Sequence, residues 1–179
     1  TTPRRSPTLK PIPCTLPGLS LVDLFAGCGG LSLGLEMAGF YPVYMNELVD
    51  DARESYLLNR PQAPGMPSLR DNRFHSADIK ELVGKDKHGR SSLAKLEKNL
   101  ERTWGIKHGE IDLVAGGPPC QGFSGIGIRR SYSVDKKKMP SNRLFKDMET
   151  VIKYLEPKMF LFENVRGLLN ARWTKNGTK

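Results

Sequence analysis

Apolar residues arrive in this chain as short runs separated by glycine-rich or polar breaks, and the spacing within each run assigns an element. Leu21-Val-Asp-Leu24 has strand character with one carboxylate, Asp23, and breaks into Phe25-Ala-Gly-Cys-Gly-Gly30 before apolar residues resume at helical intervals. Leu31, Leu35 and Ala38 then share a helix face suited to a sheet. Tyr41-Pro-Val-Tyr-Met-Asn46 predicts a second strand ending at Glu47, followed by a helix over residues 49–59. Residues 60–72, with prolines 61, 64 and 67, form a loop. Phe74 to Ile79 predicts a third strand and its tip. In the charged stretch 80–110, Leu93, Leu96 and Leu100 predict an amphipathic surface helix, with Trp104 and His108 as packing and surface residues. Ile111-Asp-Leu-Val-Ala115 predicts a buried parallel strand, residues 142–155 a helix ended by Pro157, and Lys158-Met-Phe-Leu-Phe162 a last strand. The alternation gives a doubly wound, Rossmann-like α/β fold.

Residues capable of chemistry gather at the carboxyl ends of these strands, where such sheets bind ligands. Gly27, Gly29 and Gly30 permit positive φ and close backbone approach, so a cofactor can lie against the amides at a helix start. This turn alone does not distinguish a dinucleotide from S-adenosylmethionine (SAM) or from an empty loop. Glu47, 20 residues beyond Gly27, suits ribose hydroxyls or the start of the following helix. Asp78 suits a cofactor contact or a turn equally. Gly116-Gly-Pro-Pro-Cys-Gln-Gly-Phe-Ser124 makes a rigid turn that displays Cys120, a candidate nucleophile, at the same edge. The last strand delivers Glu163 there too, pairing a thiol with a carboxylate for attack coupled to substrate protonation.

Charge sharpens the picture. With 28 Lys+Arg against 19 Asp+Glu, the formal net charge of +9 points to a polyanion, nucleic acid first. Residues 122–138 add Arg129, Arg130 and three consecutive lysines on a glycine-bearing segment suited to closing over it. The length of 179 residues suits one domain from residue 18 onward, after a flexible basic, proline-rich lead-in over 1–17. Three widely spaced cysteines, Cys14, Cys28 and Cys120, fit neither a disulfide framework nor a zinc cluster, so no metal is expected. No apolar run reaches membrane-span length and residues 1–17 lack an apolar signal core; a soluble intracellular protein is the expectation.

Asp23-Leu-Phe-Ala-Gly-Cys-Gly-Gly-Leu31, Gly117-Pro-Pro-Cys-Gln-Gly-Phe-Ser124 and Phe162-Glu-Asn-Val165 resemble the first, fourth and sixth motifs of the cytosine carbon-5 DNA methyltransferases, in the family's order. Asn46-Glu47 resembles its second motif, Asp78-Ile79 its third and Arg143-Leu-Phe145 part of its fifth. The resemblance implies a SAM-dependent methyltransferase domain. Phe25, Ala26, Gly27, Gly29, Gly30 and Leu31 would line the SAM pocket, Glu47 would hold the ribose, Asp78 and Ile79 would contact adenine, and Pro118 and Leu144 would complete the near side. It implies Cys120 as nucleophile and Glu163 as the group that protonates a flipped cytosine. Gln121, Ser124, Arg130, Asn164 and Val165 are the implied substrate-side residues. Double-stranded DNA is the implied partner of a monomeric enzyme, in a bacterial restriction-modification system and hence in the cytoplasm at the nucleoid. A tRNA cytosine methyltransferase and a catalytically silent DNA-binding relative are the alternatives, with an NAD-dependent oxidoreductase behind both. The family continues past its sixth motif, so the expectation is an incomplete, amino-terminal part of the catalytic domain, without the target-recognition domain and with sheet edges exposed.

Overall fold

The computed structural model describes residues 14–62, 64–119 and 143–166. Five strands, β1 (Leu19–Leu24), β2 (Phe40–Asn46), β3 (His75–Ser76), β4 (Leu113–Gly116) and β5 (Met159–Phe162), pair in parallel in the order β3-β2-β1-β4-β5. Helices α1 (Gly30–Met37), α2 (Asp50–Leu58), α3 (Ile79–Val83), α4 (Ser92–Trp104) and α5 (Leu144–Leu155) connect them. The order reverses between β1 and β4, which opens a crevice at the carboxyl ends of those two strands.

Burial explains the order. β1 is buried at every position after Leu19, as a central strand covered on both faces must be. On one face Val22, Leu24, Val43 and Val114 pack with the leucine stripe of α4 and with Met148, Val151 and Leu155 of α5. Leu93, Leu96, Leu100 and Trp104 of α4 are all buried, and Trp104 meets Tyr41 and Phe74 edge-on at 5.6 and 6.4 Å. On the other face Leu31 and Leu35 of α1 pack against Leu21, Leu113 and Ala115, whereas Ala38 is the exposed C-cap of α1 and takes no part. At the amino-terminal end of the sheet, the Ser20 amide and hydroxyl donate to Asp112 Oδ2, both at 2.8 Å, and Lys158 Nζ donates to Oδ1 at 2.7 Å, tying β1 to the starts of β4 and β5.

Two features differ from the sequence pattern, and a third, an exposed sheet edge, agrees with it. The third strand has only two residues, because Asp78 turns the chain into α3, its side chain accepting from the Lys80 amide at 2.8 Å. Cys14 and Leu16, within the stretch read as a flexible lead-in, pack partly against the core, and the Cys14 amide donates to the Thr103 carbonyl at 2.7 Å. β5 is exposed at all four positions, so among the described residues it forms an uncovered apolar edge. No helix among the described residues is long and apolar enough to cross a membrane.

Candidate active site

The carboxyl ends of β1, β2 and β3 are joined by hydrogen bonds between successive tips. Beyond β1 the chain turns sharply, with positive φ at Phe25 (55°), Gly27 (55°) and Gly29 (89°). A left-handed phenylalanine costs about 1–2 kcal/mol, and such strain accompanies functional turns. The Ala26 amide donates to the Asn46 carbonyl at 2.9 Å, fixing the turn to the tip of β2. The Gly27 amide donates to Glu47 Oε2 at 2.8 Å, while Glu47 Oε1 accepts from the Val49 amide at 2.8 Å. Glu47 therefore reaches the entry to α2, as one of its two readings expects, and it also braces the glycine turn. Each carboxylate oxygen keeps a second acceptor site for a ribose hydroxyl. Asn46, 1% exposed, continues the chain of contacts by donating to Ser76 Oγ at 3.0 Å and to the Ala77 carbonyl at 2.8 Å.

This half of the site fits a nucleoside cofactor. A Cβ built on Gly27 or Gly30 meets nothing within 4 Å, so the turn has open space beside its backbone, and α1 begins without a side-chain cap on its amides. Leu31 is half-buried against the sheet, and Leu144, the first residue of α5, is partly buried against the larger core. Asp78 is half-buried at the tip of β3, and Ile79 beside it is 3% exposed and sits in the core. Lys80 Nζ reaches Asp147 Oδ2 at 2.6 Å, joining α3 to α5.

Under the turn lies a polar cluster with only one marker in the sequence, a carboxylate inside an apolar strand. Asp23 is 1% exposed and accepts a hydrogen bond from the Ser32 hydroxyl. Burial pushes its carboxyl up to about 6, with the neighbouring Ser32 and Tyr56 hydroxyls and the Arg60 charge offsetting part of the effect. Tyr56, fully buried, has its hydroxyl pushed up, also by burial. Arg60 carried no signal at all, since its partners Glu36 and Gly29 are 24 and 31 residues away in sequence.

The tips of β4 and β5 form the other side of the crevice. The Glu163 amide donates to the Gly116 carbonyl at 3.0 Å, continuing the β4–β5 ladder, and a Cβ built on Gly117 would stand 2.8 Å from Glu163 Oε2. The carboxylate thus lies beside the backbone three residues before Cys120, where a Cβ would have to displace it. Asn164 Nδ2 donates to the carbonyl of buried Pro118 at 2.9 Å, and Asn164 Oδ1 accepts from the Val165 amide at 2.9 Å, pinning the Glu163 segment to the proline turn. Cys120, Gln121, Ser124 and Arg130 lie outside the described residues.

The family model for C-5 cytosine-specific DNA methylase matches residues 19–178. The chain is 36% identical to the type II methyltransferase M1.HphI of Haemophilus parahaemolyticus over 84% of its own length and 33% of that protein's. It is 33% identical to the DNA (cytosine-5)-methyltransferase PliMCI of Paracentrotus lividus over 86% of its length and 8% of that protein's. Among solved structures it superposes on an E. coli protein described as a DNA modification methyltransferase encoded within a prophage, with a TM-score of 0.56 and 30% identity, over 84% of this chain and 33% of that one. The S. pombe Dnmt2 methyltransferase shares the fold, with a TM-score of 0.50 at 16% identity, over 86% of this chain and 36% of that one. The chain spans about a third of the length of the first of these curated relatives. A glycine turn braced by the acid of the second strand, a proline turn faced by the acid of the fifth, and a family match over nearly the whole sequence lead to one conclusion: this chain belongs to the C-5 cytosine-specific DNA methylase family.

Proposed function

We propose that the protein methylates carbon 5 of cytosine within a specific sequence of double-stranded DNA, using SAM, in a type II restriction-modification system. The observation that carries this reading is the seating of Glu163 against Gly117, which brings a carboxylate to the turn that continues into Cys120. The names of the relatives support the substrate class. The net charge of +9 supports a polyanionic partner.

SAM, when bound, supplies an electrophilic methyl group on its sulfonium. The open turn at Gly27–Gly30 and the carboxylate of Glu47 would hold it, with Phe25, Ala26 and Leu31 beside the turn, and Asp78, Ile79, Pro118 and Leu144 around the rest of the pocket. The acceptor carbon is too weak a nucleophile unaided. The Cys120 thiolate adds to carbon 6, forming a sulfur–carbon bond, while Glu163 gives a proton to ring nitrogen 3 and so neutralises the charge pushed into the ring. Carbon 5 is thereby made nucleophilic toward the methyl group. Once it is methylated, loss of its proton to a base and cleavage of the sulfur–carbon 6 bond restore the aromatic ring, release Cys120 and return the nitrogen 3 proton to Glu163. Because the ring faces are stacked within a duplex, the cytosine must be flipped into the site. Asn164 and Val165 hold Glu163 in place, and Gln121, Ser124 and Arg130 serve the flipped nucleotide or its phosphates.

The test uses the full-length protein with methyl-labelled SAM, offered mixed-sequence duplex DNA and tRNA in competition. Label recovered as 5-methylcytosine from DNA is the expected result. Label in tRNA alone would transfer the activity to RNA, and SAM binding without transfer to either would fit the silent relative.

A further inference from the structure

Arg60 follows α2 by two residues, yet its side chain is only 11% exposed and its guanidinium is engaged at the exit of the glycine turn. Nε and Nη2 both reach Glu36 Oε1 of α1, at 2.7 and 2.6 Å. Nη2 also donates to the Gly29 carbonyl at 3.1 Å, and Nη1 to the Tyr56 carbonyl at 3.2 Å. The guanidinium carbon stands 3.7 Å from the centre of the Tyr56 ring. Gly29 is the N-cap of α1 at φ 89°, and a Cβ there would meet Arg60 Nη1 at 2.5 Å and Tyr56 Cδ2 at 2.8 Å. The packing at this point therefore has no slack.

One side chain thus ties the end of α2 to the N-cap and the second turn of α1. A planar, permanently charged fork can make these bonds and stack on an aromatic ring at once; an ammonium cannot. Glu47 holds the turn at its entry, through the Gly27 amide, and Arg60 holds it at its exit, through the Gly29 carbonyl. The Gly30 amide, the first of α1, shares a peptide plane with the Gly29 carbonyl that Arg60 holds.

We infer that Arg60 is a positioning residue for SAM: by fixing Gly29 it sets the direction of the helix-start amides and keeps the turn open, and Glu36 orients it for that task. The inference rests on the SAM reading proposed above. Arg60 has no part in the attack on cytosine, so its loss separates cofactor affinity from chemistry.

The experiment compares full-length wild type with Arg60→Met, Arg60→Lys, Glu36→Gln and the Arg60→Met/Glu36→Gln double variant. It reads the SAM dissociation constant by calorimetry, kcat at saturating SAM, the KM for DNA, the melting temperature without cofactor, and hydrogen exchange of the peptide spanning residues 25–33. Arg60→Met is expected to raise the SAM dissociation constant about tenfold or more, in keeping with the loss of a supporting shell around a bound group, with kcat and the KM for DNA within about twofold of wild type. Exchange in the 25–33 peptide should quicken. Arg60→Lys should recover less than half of the affinity, Glu36→Gln should have a smaller effect, and Glu36→Gln should add nothing on top of Arg60→Met, as expected for residues acting through one contact. An unchanged SAM affinity in Arg60→Met would overturn the inference. So would affinity, kcat and the KM for DNA worsening together with the melting temperature, which marks general damage. Wild-type protein that binds no SAM in the same titration would overturn the cofactor reading itself, an outcome separate from both.

Discussion

From Phe25 to Ala77 the strand tips hold one another: Ala26 bonds to Asn46, Gly27 to Glu47, and Asn46 to Ser76 and Ala77, all through backbone or buried amide contacts. Across the crevice the tips of β4 and β5 are joined by the Glu163–Gly116 and Asn164–Pro118 bonds, and β5 beyond them presents Phe160 at 63% exposure and Met159 at 49%. The first region is a preorganised cradle built within about 50 residues of sequence and braced at both ends of its turn. The second is a rigid backbone seat for one carboxylate, on a strand whose free edge is uncovered among the described residues. Under the proposed function the difference gives cofactor binding and attack on the base separate supports, so substitutions on the two sides should be distinguishable by whether affinity or turnover moves.

Four substitutions sharpen or break that division. Cys120→Ala in the full-length protein should remove methyl transfer, a fall of at least about 1,000-fold as for loss of a covalent nucleophile, with the SAM dissociation constant within about twofold of wild type. A matched loss of SAM affinity would join the two regions. Glu163→Gln keeps the side-chain shape against Gly117 but gives up proton transfer, so kcat should fall about 100-fold with SAM affinity retained; stopped-flow single turnovers would separate that loss from product release.

On the cofactor side, Asp23→Asn tests the buried cluster through pH. The Asp23 carboxyl is raised by burial from 3.8 to about 6, so its contribution to stability is fully present below the unfolded value and is lost as pH rises through about 6. Asp23→Asn removes that dependence, and relative to wild type it should gain up to about 3 kcal/mol between pH 4 and pH 7.5, measured by urea unfolding at each pH. A pH-independent difference would mean that Asp23 is ionised throughout. The smallest effect is expected at Glu47→Ala, which releases the Gly27 and Val49 amides and should weaken SAM binding about tenfold, with kcat at saturating SAM nearly unchanged. An unchanged dissociation constant would remove Glu47 from the cofactor site.

The elements legible in the sequence were those whose side chains report their own surroundings. The break from Leu24 into Gly27, Gly29 and Gly30 marks a strand, a turn and a helix, and Leu93, Leu96 and Leu100 mark the buried face of α4. Glu47 was placed by its distance from the glycine turn, although its bond to the Gly27 amide was not readable, because that bond depends on the β1–β2 register. α3 was missed, since five residues are too few to display a helical period and Asp78 reads equally as a turn. The positive φ of Phe25 has no residue signature, glycine being the usual marker. Arg60 sits in what reads as a proline-rich loop, and only its bonds to Glu36 and the Gly29 carbonyl, beside the Tyr56 ring, turn it inward. Met159–Phe162 is apolar throughout, and the exposed edge was expected from the family's continuation past its sixth motif, since four apolar residues alone do not tell a covered strand from an uncovered one.

In the proposed reaction Cys120 attacks a cytosine in DNA and Glu163 protonates it, while the glycine turn holds SAM. The most direct measurement incubates the full-length protein with SAM and a mixed-sequence duplex carrying 5-fluorocytosine, in which fluorine blocks loss of the carbon 5 substituent, and resolves the products by denaturing electrophoresis. A protein–DNA band that requires SAM and disappears in Cys120→Ala is the predicted result. A band that persists in Cys120→Ala, or one formed on labelled RNA and never on DNA that contains the target sequence, would contradict the account.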